Sequence, residues 1–271
     1  MTMNLIRNRL GLLILGVLVT FVLYLLLPAI QHERFTASID VPKPRAMEEE
    51  MKKIKGTGNT TILTGNILQN PPVFFREAVP VRRERGPTTE GGLEVIFLHG
   101  QSFTSKTWEE LGTMALLSEN GYRVIAIDLP GYGDSPLSSA VETPRGRIAF
   151  LQQVLKELGL HRPVLISSSM SGRYSIPFLL ASGEQLKGFV PIAPVGTKDF
   201  TTQQYQQVKT PTLIIYGELD TGLGTQSLQL LQLIPKSRVV KLLAAGHACY
   251  LDQPQEFHRA LLNFLDELKG L

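Results

Sequence analysis

From residue 60 onward the chain alternates two hydrophobic patterns. Short runs rich in Val, Ile and Leu occupy 93–98, 124–127, 164–168, 189–193 and 212–216, and a more polar run follows at 238–242. Runs of this length with little polar alternation predict strands buried on both faces. Between them, 106–119, 147–158, 172–181, 227–234 and 254–268 carry apolar residues at three- and four-residue intervals, which predicts helices. Asn120-Gly121 and Gly159 supply helix stops. Two earlier segments, 60–68 and 73–79, predict an initial pair of strands. Strands alternating with helices predict an α/β domain whose largely parallel sheet is covered on both faces.

The pattern changes before residue 60. Residues 10–30, LGLLILGVLVTFVLYLLLPAI, carry no charge. As a helix these 21 residues reach about 31 Å, roughly one bilayer core. The run is longer than the apolar core of a secretory signal and ends in Leu-Pro-Ala-Ile rather than at a small-residue cleavage site. It therefore predicts an uncleaved signal anchor. A helix apolar all round needs partners on every side to sit within a globular domain. Residues 31–59 are polar, with Pro42, Pro44 and three consecutive glutamates from Glu48, and predict a stalk. The expected organisation is a tail and transmembrane anchor at 1–30, a stalk at 31–59 and a folded domain at 60–271.

Lys and Arg number two before the apolar run (Arg7, Arg9) and three after it (Arg34, Lys43, Arg45), so charge does not set orientation. The short leading tail predicts a cytosolic N-terminus. The protein is then single-pass type II with a lumenal or extracellular domain; a cytoplasmic domain is the alternative. Asn59-Thr60-Thr61 is the only N-x-[ST] sequon and makes Asn59 a glycosylation candidate.

Composition narrows the function classes. The chain is 43% hydrophobic and 19% charged, with Lys+Arg 27 against Asp+Glu 24. That balance gives no footprint for a nucleic-acid partner. The clusters Lys52-Lys53-Lys55 and Arg82-Arg83-Arg85 fall in expected loops and read as solvated surface. A single cysteine, Cys249, excludes an intramolecular disulfide framework and a multi-cysteine metal site.

The stretch VLISSSMSGRYS combines an apolar run, a serine-rich turn and a helical stretch, the context of a nucleophile elbow. Strand and helix pass close together there, so the residues two before and two after the nucleophile must be small. Ser168 has Ile166 and Met170 at those places, and Ser171 has Ser169 and Arg173. Only Ser169, between Ser167 and Ser171, satisfies the rule. A serine hydroxyl needs a base, normally a histidine oriented by a carboxylate. Of five histidines, His32 lies in the stalk, His161 before Pro163 and His258 within the last helix, where a surface place is expected. His99 follows the 93–98 strand, ahead of the nucleophile, and reads as a brace for that turn. His247 lies on a glycine-containing loop after the last strand, which suits the base. Asp220 in IIYGELD is the expected acid, with Glu218 and Asp199 as rivals. Asp128 in IDLPGYGDS reads as a shaper of its loop, with Gly131 and Gly133.

The segments FLHGQSF, IDLPGYGDS, SSSMSG, IIYGELD and AAGHACYLDQPQEF occur in the order of the α/β-hydrolase superfamily, which residues 60–271 resemble. More narrowly, FLHGQSFTSKTWEELGT, FVPIAPV and AGHACYLDQP resemble the α/β hydrolase domain-containing protein 14 group, including its membrane-anchored branch. That group also carries serine where others have glycine in the elbow. The resemblance implies Ser169, Asp220 and His247 as a catalytic triad. It also implies an oxyanion hole from the backbone N–H of Met170 and that of Gln101 or its neighbour Ser102. Family members with selective lids insert them in the region of 194–211, which here has room for at most one short helix; an open pocket is implied. The expected function is a membrane-anchored serine hydrolase cleaving a small acyl ester, thioester or amide, with no metal or cofactor. The acyl group can sit on a larger carrier. Acyl transfer to a thiol such as coenzyme A, or a non-catalytic signalling role on the same fold, are the alternatives.

Overall fold

The computed structural model describes residues 60–67, 69–80 and 92–270. The expected anchor at 10–30, the stalk at 31–59, Asn59 and the arginine cluster at 82–85 lie outside the described residues. Among the described residues no helix is long and apolar enough to cross a membrane.

Eight strands form one sheet: β1 (Ile62–Ile67), β2 (Val73–Ala78), β3 (Glu94–Leu98), β4 (Arg123–Ile127), β5 (Val164–Ser168), β6 (Gly188–Ile192), β7 (Thr212–Gly217) and β8 (Ser237–Leu242). Their spatial order is β1-β2-β4-β3-β5-β6-β7-β8. Only the β1–β2 and β2–β4 pairings are antiparallel. The other five are parallel, so β3, β5, β7 and β8 send their C-terminal ends to one edge of the sheet. The helices are α1 (Lys106–Glu110), α2 (Thr113–Glu119), α3 (Pro144–Glu157), α4 (Gly172–Ser182), α5 (Thr202–Gln206), α6 (Leu223–Leu231), α7 (Cys249–Asp252) and α8 (Pro254–Lys269).

The strands read as continuous apolar runs because successive residues feed two different cores. Ile96, Leu98, Ile125 and Ile127 join Phe150, Val154, Ile176 and Phe178 on one face. Val95, Phe97, Val124 and Ala126 join Trp108, Met114, Phe257 and Leu261 on the other. The helix expected over 106–119 is two helices, because Gly112 adopts φ 77 and breaks the ladder between α1 and α2. The helix expected from 147 starts three residues earlier. Thr143 caps it, its Oγ1 accepting the Gly146 N–H at 3.0 Å, and Pro144 occupies the first turn. Residues 194–211 hold one 3₁₀ turn (Thr197–Asp199) and α5, with no inserted domain.

His258 departs from expectation. It lies on the core-facing stripe of α8 with Phe257, Leu261, Phe264, Leu265 and Leu268, and is 6% exposed. Its Nε2 is 2.8 Å from Thr113 Oγ1 on α2, which supplies the partner a buried imidazole needs. Burial lowers its pKa to about 4. An unfolded histidine titrates near 6.5, so the unfolded chain takes up this proton first. The stability His258 contributes is complete above about pH 6.5 and is lost as pH falls toward about 4, a total of roughly 3 kcal/mol. Urea denaturation from pH 7 to 4.5 therefore shows a decline in stability that is shallower in His258→Gln. Equal slopes in the two proteins would exclude His258 as the titrating group.

Candidate active site

Strand β5 ends at Ser168, and Ser169 turns the chain into α4 with φ 50, a left-handed conformation that is costly for a residue with a Cβ. The turn is held from both sides. Ser169 O accepts the Val195 N–H at 2.9 Å, which ties it to the connection after β6. A Cβ on Gly172 would come within 2.3 Å of Val195 O, so this position admits only glycine at the observed spacing. Ser167 and Ser171 are fully buried. Ser171 Oγ donates to Ser168 O at 2.8 Å, and Ser167 Oγ lies 2.9 Å from Ser171 Oγ and 2.6 Å from Ser175 Oγ. Ser168 points inward and is 1% exposed, which leaves Ser169 as the serine presented at the sheet edge.

Two loops from neighbouring strands converge on Ser169. The loop after β7 carries Asp220 and the loop after β8 carries His247. Glu218 N–H donates to Leu242 O and Leu219 N–H to Ala245 O, each at 2.8 Å, which binds the loops together. Gly217 lets them approach, since a Cβ there would lie 2.1 Å from Gly246 O. His247 Nδ1–H donates to Asp220 Oδ2 at 2.6 Å, and Nε2 accepts from Ser169 Oγ at 2.8 Å. The Asp220 side chain is 8% exposed against 44% for His247, so the acid lies beneath the ring it orients.

The other candidate acids have other partners. Glu218 Oε2 accepts the Ala244 N–H at 3.1 Å, and that bond, with Lys241, holds its carboxyl below the usual carboxylate range. Asp199 lies in the 3₁₀ turn after β6. Asp128 accepts the Ser105 and Asp134 N–H groups at 2.7 and 2.9 Å, and it fills the space a Gly133 Cβ would need. Asp252, which sequence reasoning passed over, accepts the Gly246 N–H at 2.7 Å and braces the His247 loop. Cys249 is buried, and burial pushes its thiol up to about 12, so it offers no thiolate.

His99 is buried behind the turn that follows β3. Its Nδ1–H donates to Gly100 O at 2.8 Å and its Nε2 accepts the Leu129 N–H at 3.0 Å, which fixes a neutral tautomer. Burial lowers its pKa, opposed in part by the Gly100 bond and by Asp128. The ring staples the Gly100–Phe103 turn to the loop after β4. That turn presents Gln101 and Ser102, both exposed, with Gly100 packed over the elbow: a Cβ there would lie 3.5 Å from Ser169 Cβ. Among the described residues no hydrogen bond occupies the Gln101 N–H. Gln101, Ser169, Met170 and Val195 line a cleft of about 320 Å³, together with Arg147 and Arg173.

A doubly covered, mostly parallel sheet with a strained serine turn after its fifth strand defines the class: the chain belongs to the α/β hydrolase family. The sequence pattern of that family matches residues 95–199. Protein ABHD14A of Danio rerio is 51% identical over 269 residues, covering 98% of this chain and 99% of that one. The human protein named "Putative protein-lysine deacylase ABHD14B" is 45% identical over 205 residues, covering 74% of this chain and 94% of its own. Among solved structures, a "predicted CIB-like hydrolase" from Thermoplasma acidophilum superposes with TM-score 0.68 at 26% identity, covering 79% of this chain and all of that one.

Proposed function

We propose that the protein is a serine hydrolase that opens an acyl ester, thioester or amide through an acyl-enzyme on Ser169. One observation carries the reading: the continuous contact Asp220–His247–Ser169, with bonds of 2.6 and 2.8 Å, ending on a serine in a left-handed turn. His247 Nε2 takes the Ser169 proton as Oγ bonds to the acyl carbon. The carbonyl oxygen becomes an oxyanion, which the N–H groups of Gln101 and Met170 receive at the positive end of α4. The tetrahedral adduct collapses, the bond to the leaving group breaks, and the proton on His247 goes to that group. Water repeats the sequence in reverse roles and frees the acid and Ser169. Asp220 stays ionised throughout, holds the Nδ1–H tautomer and stabilises the imidazolium. The name of the human relative, "Putative protein-lysine deacylase", supports amides among the substrates. A fluorophosphonate probe tests the reading: it labels the native protein and not Ser169→Ala, and equal labelling of both removes Ser169 as the nucleophile.

The same proposal includes the membrane. The alignment with the Danio rerio relative spans 98% of this chain and so includes most or all of the apolar run at 10–30. A single-pass anchor with the domain on the lumenal side makes Asn59 accessible to glycosylation. Glycosidase treatment of protein from cells then increases gel mobility, and Asn59→Gln removes the shift. Digestion of the domain by protease in intact microsomes would place it in the cytosol instead.

A further inference from the structure

We propose that Arg147 and Arg173 form an anion subsite beside Ser169, which selects substrates bearing a carboxylate or phosphate near the reacting acyl group. The proposal rests on the reading of Ser169 as nucleophile and adds the substrate chemistry to it.

Both arginines line the cleft of about 320 Å³ that also holds Ser169 and the expected oxyanion donors. Neither is neutralised by a carboxylate. Arg76, Arg123, Arg238 and Arg259 each pair with a glutamate. Among the described residues, Arg145, Arg147, Arg162 and Arg173 have no carboxylate partner, and of these four Arg147 and Arg173 line the cleft. Each lies in the first turn of a helix, α3 and α4, and neither first turn contains an acidic residue. A cation there faces the positive end of the helix dipole and is disfavoured unless an anion joins it. Two such helix starts, each with an unpaired guanidinium, meet at one cleft, and the missing component is negative.

Arg147 is also held in place. Its Nη2 donates to Glu142 O at 3.0 Å, and its guanidinium carbon lies 5.7 Å from the centre of the Tyr174 ring. One bond to a carbonyl leaves most of the five N–H donors of the guanidinium unused. A planar fork fixed by stacking is suited to the two oxygens of a carboxylate or phosphate, because little freedom remains to be lost on binding. Arg173, four residues after Ser169, is exposed and supplies the second positive group from the elbow helix itself.

The test uses two matched substrate pairs, each read as a ratio of kcat/KM, anionic over neutral, at low and at physiological salt. In the first pair the charge is on the acyl group: the 4-nitrophenyl monoester of adipic acid against 4-nitrophenyl pentanoate. In the second it is on the carrier: S-acetylpantetheine 4′-phosphate against S-acetylpantetheine. The native protein prefers the anionic member of at least one pair by about tenfold, equivalent to about 1.4 kcal/mol. The pair showing the preference assigns the anion to the acyl group or to the carrier. Arg147→Gln and Arg173→Gln each reduce that ratio at least about threefold, and Arg173→Glu reverses it, as expected when a charge-assisted pair becomes a like-charge contact. Ratios near one for both pairs in the native protein, or a preference that survives both glutamine variants, overturn the subsite while leaving the hydrolase reading intact. Loss of turnover on all four substrates, with no fluorophosphonate labelling of Ser169, overturns the hydrolase reading and the subsite with it.

Discussion

Ser169→Ala abolishes fluorophosphonate labelling and lowers acyl-ester turnover by about 10⁴-fold or more, while the melting temperature stays close to that of the native protein. The size follows from the geometry. Ser169 Oγ makes its one side-chain hydrogen bond to His247 Nε2, at 2.8 Å, so removing it deletes the proposed nucleophile and little packing. Alanine can keep the φ 50 conformation at the same steric cost, and the Val195 N–H still bonds to the backbone carbonyl. A loss of 10⁴ corresponds to about 5.4 kcal/mol of barrier. The residual rate comes from the oxyanion donors and from binding, which survive the substitution. Ser168→Ala is the control, since Ser168 points into the core. If Ser168→Ala is inactive and Ser169→Ala retains a tenth or more of native kcat/KM, the assignment of the nucleophile is wrong.

Asp220→Asn carries the second largest effect, a loss of about 10⁴-fold in kcat, as for the corresponding change in a serine protease. The carboxylate accepts the Nδ1–H of His247 at 2.6 Å. An asparagine amide turned toward the ring donates to Nδ1 and places the imidazole proton on Nε2. The nitrogen facing Ser169 is then a donor and cannot take the serine proton. Glu218→Gln, two residues earlier, keeps an oxygen for the Ala244 N–H and loses only an exposed ion pair with Lys241, so its kcat falls less than tenfold. Stopped-assay kinetics on one activated ester distinguish the two. Retention of more than a tenth of native kcat by Asp220→Asn would remove Asp220 as the orienting acid.

What could be read from the chain beforehand depended on how local each cause is. The size rule around a strained turn involves five consecutive residues, so it singled out Ser169 without a structure. The central strands were legible because a strand buried on both faces is written as one apolar run; β5 has the same bounds in sequence and structure. Helix 106–119 was misjudged because an isolated glycine within a helical pattern is compatible with one continuous helix; the break is seen only in the left-handed backbone of Gly112, φ 77. His258 was placed at the surface because its partner, Thr113, is 145 positions away. Asp252 escaped for a related reason: its carboxylate acts on a backbone N–H, which leaves no mark in sequence. Arg173 was noticed only as too bulky to flank a nucleophile. The cleft it lines with Arg147, from a different helix, exists only after folding.

The serines that flank the elbow carry a consequence for the unfolded chain. The Ser168 carbonyl can only accept, so Ser171 donates to it, Ser167 donates to Ser171, and Ser175 donates to Ser167. Four buried groups are thereby satisfied in one directed series, each bond polarising the next. A glycine at Ser167 or Ser171 would also fit between strand and helix, but a disordered glycine samples more backbone conformations than a disordered serine. Each serine spares roughly 0.4–1 kcal/mol of ordering entropy when the turn forms. The elbow is thus prepared before folding: the same small side chains that clear space for Ser169 also reduce the number of states from which the strained turn must be gathered.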